Sequence, residues 1–271
     1  MAVDSNQLTT LAVLKSWLGI SVSTDDTILG YAIDRASKAV QAYCGRNFTS
    51  QRYLEIYDGA TSRLALYQNP VVSIRNIGTG WDSVASISAT NATDVFVSVS
   101  VLDASILLHR VTSAGAEVDT TATFAAYPTS ALMAAYISTV SGFSASNFTD
   151  VDIRYVRKLG GRNLKRTTAY FEAPTDSFYD YQVDLDAGIV HGAFLPTRRS
   201  VLVDYTAGFA VIPEDVEQAS TSIAARFYHA RARDSGLASE SLGGYSYSAG
   251  PSSVGIDALE RELLAPWRRI R

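Results

Sequence analysis

Residues 24–45 read TDDTILGYAIDRASKAVQAYCG, and this stretch decides the fold of the first part of the chain. Its small and apolar residues fall on one helical stripe: Ile28, Ala32, Ala36, Ala39 or Val40, and Tyr43. Thr24 is a good N-cap, Asp25 and Asp26 suit the positive end of the helix dipole, and Gly45 can end the helix. Because alanines at successive turns permit close approach, we expect a second helix, from this chain or a neighbour, to pack on the stripe.

A shorter helix is predicted just before this one. Its apolar positions follow helical spacing: Leu11, Leu14, Trp17 and Leu18. Thr9 or Thr10 can cap its start, and Gly19 supplies the left-handed residue that ends it. The first fifty residues are therefore predicted to be helical.

Helices are predicted again near the other end of the chain. Pro213 suits a first turn, acidic residues follow it, and the buried stripe is Val216, Ala219 or Ser220, Ile223 and Phe227. Gly236 is a plausible stop for this helix. A glycine, serine and tyrosine loop over 239–253 then leads to a last helix over about 256–264, which Pro266 closes.

The middle of the chain has the pattern of strands. Predicted strands are 52–57, 62–67, 71–77, 95–101, 106–110, 182–185, 189–193 and 201–205. The first two are predicted to form a hairpin, 106–110 to pair with 95–101, and 151–172 to form a hairpin that turns at Gly160 and Gly161. One helix is predicted within this part, from Pro128 and Thr129 to Gly142.

The helices at both ends of the chain each have one apolar face that must be buried. We expect them to bury these faces by packing against one another. The predicted fold is therefore α+β: a helical bundle formed by the N- and C-terminal helices, with a large inserted β-rich domain. The predicted boundaries are 1–50 and 206–271 for the discontinuous helical unit, and 51–205 for the insertion.

Composition restricts the function classes. Of 271 residues, 47% are hydrophobic and 18% charged, which is typical of a folded globular protein. The formal net charge of −4 disfavours nucleic-acid binding by the field of the whole molecule and leaves only local patches. The single cysteine, Cys44, excludes a disulfide framework. No apolar run long enough for a membrane span and no signal-peptide pattern is present, so we expect an unexported protein without membrane contact.

Sequence signatures of catalysis and cofactor binding are missing. The chain contains no phosphate-binding loop, dinucleotide fingerprint, nucleophile elbow or zinc-protease helix. A metal site among Glu172, Asp176, Asp180, Asp184 and Asp186 is weakly suggested, but their spacing is not that of a calcium loop. We therefore expect no enzyme activity, cofactor or metal.

Two basic clusters stand out against the acidic total. The first is Arg154, Arg157, Lys158, Arg162, Lys165 and Arg166, and the second is Arg268, Arg269 and Arg271. Guanidinium groups suit phosphates and acidic protein surfaces alike. The first cluster is a candidate for DNA or tail contact, with a solvated hairpin tip as the alternative. In the second, the neighbouring Trp267 is costly to leave exposed and is typical of an interface anchor, with a frayed tail as the alternative.

The two helical ends, taken together, resemble the head-tail connectors of tailed bacteriophages, the adaptor or head-completion proteins of the gp6-like type. The N-terminal resemblance lies in LTTLAVLKSWLG at 8–19, DD at 25–26 and AYCGRNF at 42–48. The C-terminal resemblance lies in VDYTAGF at 203–209, IPEDV at 212–216, SESLGGYS at 239–246 and LAPWRR at 264–269. The long segment of about 78–172 departs from the small members of the family, so its contacts are open.

The resemblance implies a non-enzymatic virion protein of the neck, assembled in the bacterial cytoplasm. It implies a homo-oligomeric ring, usually dodecameric, between the portal protein and a tail, tail-terminator or neck protein, with double-stranded DNA passing through its lumen. It also implies portal or neighbouring-subunit contacts at Leu242, Tyr245, Tyr247, Leu264, Trp267, Arg268, Arg269 and Arg271, with 242–247 as an intersubunit loop.

Two other classes stay open. The Ser-, Thr- and Tyr-rich β region would also suit a surface or carbohydrate-binding virion decoration protein. A hydrolase ranks third, because a triad assembled in space would have to use one of only three histidines, His109, His191 and His229.

Overall fold

A computed structural model describes residues 6–59, 62–194, 197–231, 239–242, 245–248 and 256–269. The helices are α1 Leu11–Leu18, α2 Asp26–Cys44, α3 Ser130–Thr139, α4 Glu214–Ala230 and α5 Ala258–Leu264. The strands up to α3 are β1 Gln51–Tyr57, β2 Arg63–Ala65, β3 Val71–Ala89, β4 Phe96–Val101, β5 Ser105–Val111 and β6 Glu117–Thr123. Those after it are β7 Phe143–Asn147, β8 Leu159–Asn163, β9 Ala169–Ser177, β10 Tyr181–Asp184, β11 Ile189–Gly192, β12 Val201–Ala207, β13 Ser239–Leu242 and β14 Tyr245–Ser248. The α+β class is confirmed.

The two N-terminal helices begin and end close to where the sequence predicts. The Thr10 side chain accepts a hydrogen bond from the Val13 amide, and Gly19 and Gly45 end the helices with φ of 68° and 66°. The predicted stripe of α2 is displaced by one position at its start, since Leu29 is fully buried whereas Ile28 is 42% exposed. The predicted Thr24 cap is wrong, because Asp25 occupies the N-cap position.

Helices from both ends of the chain share one hydrophobic core. Its α2 members include Leu29, Ala32, Ile33, Ala36 and Val40, and its α4 members include Val216, Ala219, Ile223 and Ala224. Both helices contribute alanines to this core, which suits close helix packing. The partner of α2 is therefore α4 of the same chain.

A five-stranded antiparallel sheet connects this helical core to the rest of the protein. Strand β12 lies between β1 and β3, and the long β3 continues to pair with β7 and β9. The predicted hairpin of 52–57 with 62–67 is wrong, since β1 pairs with β12 and β2 pairs with β11. A second core lies on this sheet and includes Ile77, Val190, Val203 and Tyr205.

A four-stranded sheet in the order β6-β5-β4-β8 forms with α3 a third core. The predicted pairing of β4 with β5 is confirmed, and the predicted helix after Pro128 and Thr129 is α3, which Thr129 caps. The predicted hairpin over 151–172 is wrong. Gly160 and Gly161 lie inside β8, opposite Ser100 of β4 at a register shift, and β9 pairs with β3 instead.

Gly208 makes the joint between β12 and the helical core. Its φ is 119°, and a Cβ at this position would lie 2.4 Å from the backbone oxygen of Thr49. Its amide donates to the Pro70 oxygen at 2.9 Å, and the Phe209 amide donates to the Phe48 oxygen at 2.7 Å. The chain segments before β1 and after β12 therefore approach more closely than a side chain would allow.

Asp204 of β12 joins two strands and the segment after α3. It is fully buried, and the Arg52 guanidinium donates to both of its carboxylate oxygens. The Tyr155 hydroxyl, from the 3-10 turn Ile153–Tyr155, donates to Asp204 Oδ2 at 2.9 Å. Burial and the bond to Asp204 raise the pKa of Tyr155 to about 12, so this hydroxyl stays protonated.

Part of the predicted 239–253 loop is a two-stranded ladder of β13 with β14, so that prediction is wrong for these residues. The predicted stop at Gly236 lies outside the described residues. Among the helices described, none is both long and apolar enough to cross a bilayer.

Candidate interaction surfaces

The segment 256–269 folds back onto its own chain. A capping box between Asp257 and Glu260 starts α5, and Arg226 of α4 makes ion pairs with both carboxylates. Leu264 is fully buried in the helical core. In this structure Leu264 therefore contacts its own helices and offers no surface to a partner.

Trp267 also packs within the chain. Its ring meets the Phe48 ring edge-on with the centroids 6.3 Å apart, and the Phe209 ring with the centroids 5.5 Å apart. Arg46 lies over both phenylalanine rings. Two aromatic rings of the same chain thus cover part of the indole and leave it half-buried, and the role of Trp267 as an interface anchor stays a prediction.

The two following arginines differ in their surroundings. The Arg269 amide donates to the Cys44 oxygen at 2.9 Å, and its guanidinium donates to the Tyr67 and Leu66 oxygens. Arg268 is exposed and lies over the Tyr43 ring at 5.5 Å. Arg269 thus secures the segment to α2 and to the loop before β3, and Arg268 remains available to a partner.

The remaining residues predicted at a partner interface are less fully described. Leu242, Tyr245 and Tyr247 lie in the β13–β14 ladder, which is described here by its backbone only. Arg271 lies outside the described residues. A contact of these four residues with a portal or neighbouring subunit stays a prediction.

The first basic cluster does not form a hairpin tip. Arg154 pairs with Asp152, and Lys158 pairs with Asp103. The Lys165 ammonium donates to the backbone oxygens of Ala92 and Asp94, so it holds the loop before β4. These three side chains are engaged within the chain, whereas Arg162 and Arg166 are exposed.

Arg157, the remaining member, lies in a cleft that the sequence does not predict. The cleft has a volume of about 280 Å³ and is lined by Trp81, Arg157, Arg198, Arg199 and Val201, among others. The Arg157 guanidinium lies 4.2 Å from the centroid of the Trp81 ring and donates to the Arg199 oxygen at 3.1 Å. The cleft therefore brings together three arginines from two distant parts of the sequence.

Neighbouring groups fix the walls of this cleft. The Trp81 indole nitrogen donates to the Ser200 oxygen at 2.8 Å, and the Arg199 amide donates to Asp58 Oδ1 at 2.6 Å. Arg199 has a φ of 50°, which is uncommon for a residue with a side chain. Glu172 Oε2 lies 3.2 Å from Arg157 Nη1 on the outer side.

The described residues contain no grouping of side chains that is typical of a metal centre. In that part of the chain no three or more His, Cys, Asp or Glu side chains are grouped in a way that could hold a metal ion. His109 pairs with Asp119 at 2.5 Å, and His229 is exposed. The weakly suggested site around Asp180 and Asp184 is therefore not formed.

Comparison with solved structures finds distant likeness over the whole chain. The neck of an empty gene transfer agent particle, computed with C6 symmetry, is 15% identical, with a TM-score of 0.42; the match covers 100% of this chain and 94% of that one. The neck of the native particle, computed with C12 symmetry, is 16% identical, with a TM-score of 0.37 and 100% and 93% coverage. The virion of the native gene transfer agent particle is 16% identical, with a TM-score of 0.38. That match covers 100% of this chain and 94% of the other.

Comparison with curated proteins finds no match. Comparison with family models finds one whose description is phage gp6-like head-tail connector protein, and it matches residues 8–75. This stretch contains α1, α2 and the first two strands, and it includes the N-terminal motifs in which the sequence resembles connectors. The resemblance to the gp6-like head-tail connectors of bacteriophages is thereby confirmed for residues 8–75.

Proposed function

We propose that this protein forms a ring at the neck of a virion, between the portal and the tail. The ring completes the head, offers the tail its docking surface and continues the DNA channel. The observation that carries this proposal is the connector match at residues 8–75. Helix α2 of that stretch shares its core with α4, so the matched helices and α4 form one packed unit. The helical unit of 1–50 and 206–271 would build the ring, with the β-rich 51–205 as its insertion.

Exposed apolar side chains on the N-terminal helices support a contact between subunits. On α1 and α2 and in the connection between them, Val13 is 39% exposed, Trp17 58%, Val22 61%, Ile28 42% and Tyr31 47%. We infer that these side chains form one contact surface, because large contiguous apolar patches are typical of interaction sites. The proposed occupant of this surface is a second copy of the chain, in the repeated head-to-tail contact that closes a ring.

Replacement of Trp17 by Arg is expected to prevent ring formation without unfolding the subunit. An interface tryptophan commonly contributes 2 kcal/mol or more, so each contact should weaken at least about thirtyfold. Mass photometry of the purified protein measures the ring, and circular dichroism checks the fold. Val95→Arg is the matched control, because Val95 is 64% exposed in the β region. Rings of unchanged stability in Trp17→Arg would contradict this contact.

Virions assembled without this protein test the proposed role itself. We expect electron micrographs to show heads separated from tails, because the ring supplies the surface on which the tail docks. Complementation with the wild-type chain should restore joined particles. Filled heads that are normally joined to tails in the absence of the protein would refute the proposed function.

A decoration protein that binds carbohydrate is the alternative. Tyr170 and Tyr179 are 55% and 84% exposed in the β region, and exposed rings are planar faces on which sugars can stack. Binding of the full chain to a glycan array, together with a location away from the neck in labelled virions, would favour this alternative.

A further inference from the structure

We propose that the cleft lined by Trp81, Arg157, Arg198 and Arg199 binds an acidic peptide segment of a partner protein. The inference deepens the proposed function, on which it rests for the identity of that partner, by assigning a place and a chemistry to one contact of the neck. Its first support is that three arginines and a tryptophan line one cleft with a volume of about 280 Å³.

Arg157 is held in place before any partner arrives. It stacks on Trp81, pairs with Glu172 and donates to the Arg199 oxygen. A guanidinium fixed by three contacts loses little further freedom on binding, and its planar fork suits a carboxylate. The side chain is therefore positioned as one wall of an anion site.

Glu172 partly neutralises the positive charge of Arg157. Arg198 and Arg199 supply further positive charge at the cleft. Both are exposed, and within the described residues neither side chain has an ion-pair partner. The backbone of Arg199 is kept at a φ of 50° by its bond to Asp58 and by the bond from Arg157. Strained backbone persists where the surroundings impose it, and it is concentrated at binding sites.

The surroundings favour a peptide over a nucleic acid. Glu172 and Asp58 lie beside the cationic groups, and Asp176 packs on Gly80, which also lines the cleft. Duplex DNA binds through many phosphates spread over a surface, so these carboxylates would repel it. A peptide with one or two acidic side chains can instead bind to the arginines within the cleft alone. The half-buried Trp81 then offers apolar surface to the residues between them.

The test measures binding of a labelled peptide to the full chain. Fluorescence anisotropy compares the acidic peptide GSDLEDLSG with its uncharged counterpart GSNLQNLSG and with a labelled 12-base-pair duplex. The variant Arg198→Gln/Arg199→Asn removes two charges, and asparagine tolerates the left-handed backbone at 199. The control Arg35→Gln/Arg75→Gln removes the same charge from two exposed arginines outside the cleft.

We expect the acidic peptide to bind the wild-type chain and the control equally, within twofold. The cleft variant and the uncharged peptide should each reduce affinity at least about tenfold, because charge-assisted hydrogen bonds are lost. Absence of binding, equal binding of both peptides, or equal binding by the cleft variant would overturn the proposal, as would tighter binding of the duplex. If the double variant is less stable, Arg198→Gln alone, at an exposed turn, decides between these outcomes. Peptide binding and ring formation are measured separately, so either can fail without the other.

Discussion

Replacement of Gly208 by Ala is expected to lower the free energy of unfolding by about 3–6 kcal/mol. Three costs contribute. An alanine is strained at a φ of 119°, its Cβ would lie 2.4 Å from the Thr49 backbone oxygen, and relief of this overlap would displace the bonds to Pro70 and Phe48. A backbone oxygen cannot rotate away as a flexible side chain can. Urea denaturation followed by circular dichroism measures the effect.

Gly115→Ala separates the steric cost from the conformational one. Gly115 also has a positive φ, of 82°, but no atom lies within 4 Å of the position of its Cβ. Only the backbone strain remains there, so the expected loss is about 1 kcal/mol. Equal effects of the two substitutions would show that the contact between Gly208 and Thr49 is not close in solution.

Replacement of Asp204 by Asn is expected to cost about 2–4 kcal/mol. The amide keeps the shape of the carboxylate, but it removes the charge that faces Arg52 and turns one acceptor into a donor. Breaking a fully buried ion pair commonly costs more, yet the Arg52 side chain is 29% exposed and water can solvate it after the change. The midpoint of urea denaturation should fall accordingly.

Asp152→Asn is the matched control for this prediction. It also breaks a bidentate pair with an arginine, Arg154, but the Asp152 side chain is 25% exposed and that of Arg154 is 45% exposed. We expect a loss below about 1 kcal/mol. The double replacement of Arg52 by Met and Asp204 by Leu should recover most of the stability, because it leaves no unpaired charge. An effect of Asp204→Asn no larger than that of Asp152→Asn would contradict the structural role of Asp204.

Features that depend on neighbouring residues could be predicted from the sequence. Gly19 and Gly45 end their helices, Thr129 caps α3, and β4 pairs with β5 across a short turn. Each of these is decided by a cap, a glycine or an alternation within about ten residues. The α+β class and the contact between the two helical ends follow from the same local patterns.

Strand partners far apart in sequence could not be predicted. β1 finds β12 rather than the neighbouring β2, and no local signal distinguishes the two. Gly78 and Gly80 interrupt the sequence pattern, yet β3 runs through both, because the side chains of Pro174 and Asp176 from β9 occupy the space of their missing Cβ atoms. A glycine that marks a turn and a glycine that admits a neighbour are indistinguishable in one sequence.

The surroundings of the candidate surface residues also depend on contacts between distant parts of the sequence. Basic residues at 154–166 are conspicuous in the sequence, but ion pairs and backbone carbonyls engage several of them. The cleft is not predictable from the sequence, because Trp81, Arg157 and Arg198 are separated by long segments and the folded sheet brings them together. The nearest available signal was the pair Arg198 and Arg199 before a buried strand.

The folding back of 256–269 onto α2 has a consequence for the timing of assembly. Phe48 and Cys44 leave the ribosome early, but their partners Trp267 and Arg269 follow only after more than two hundred further residues have been synthesised. The helical core is thus of high contact order, and it closes late. Chains truncated before residue 256 would leave Phe48 and Phe209 uncovered, so such fragments should be retained by chaperones or degraded before they meet a particle.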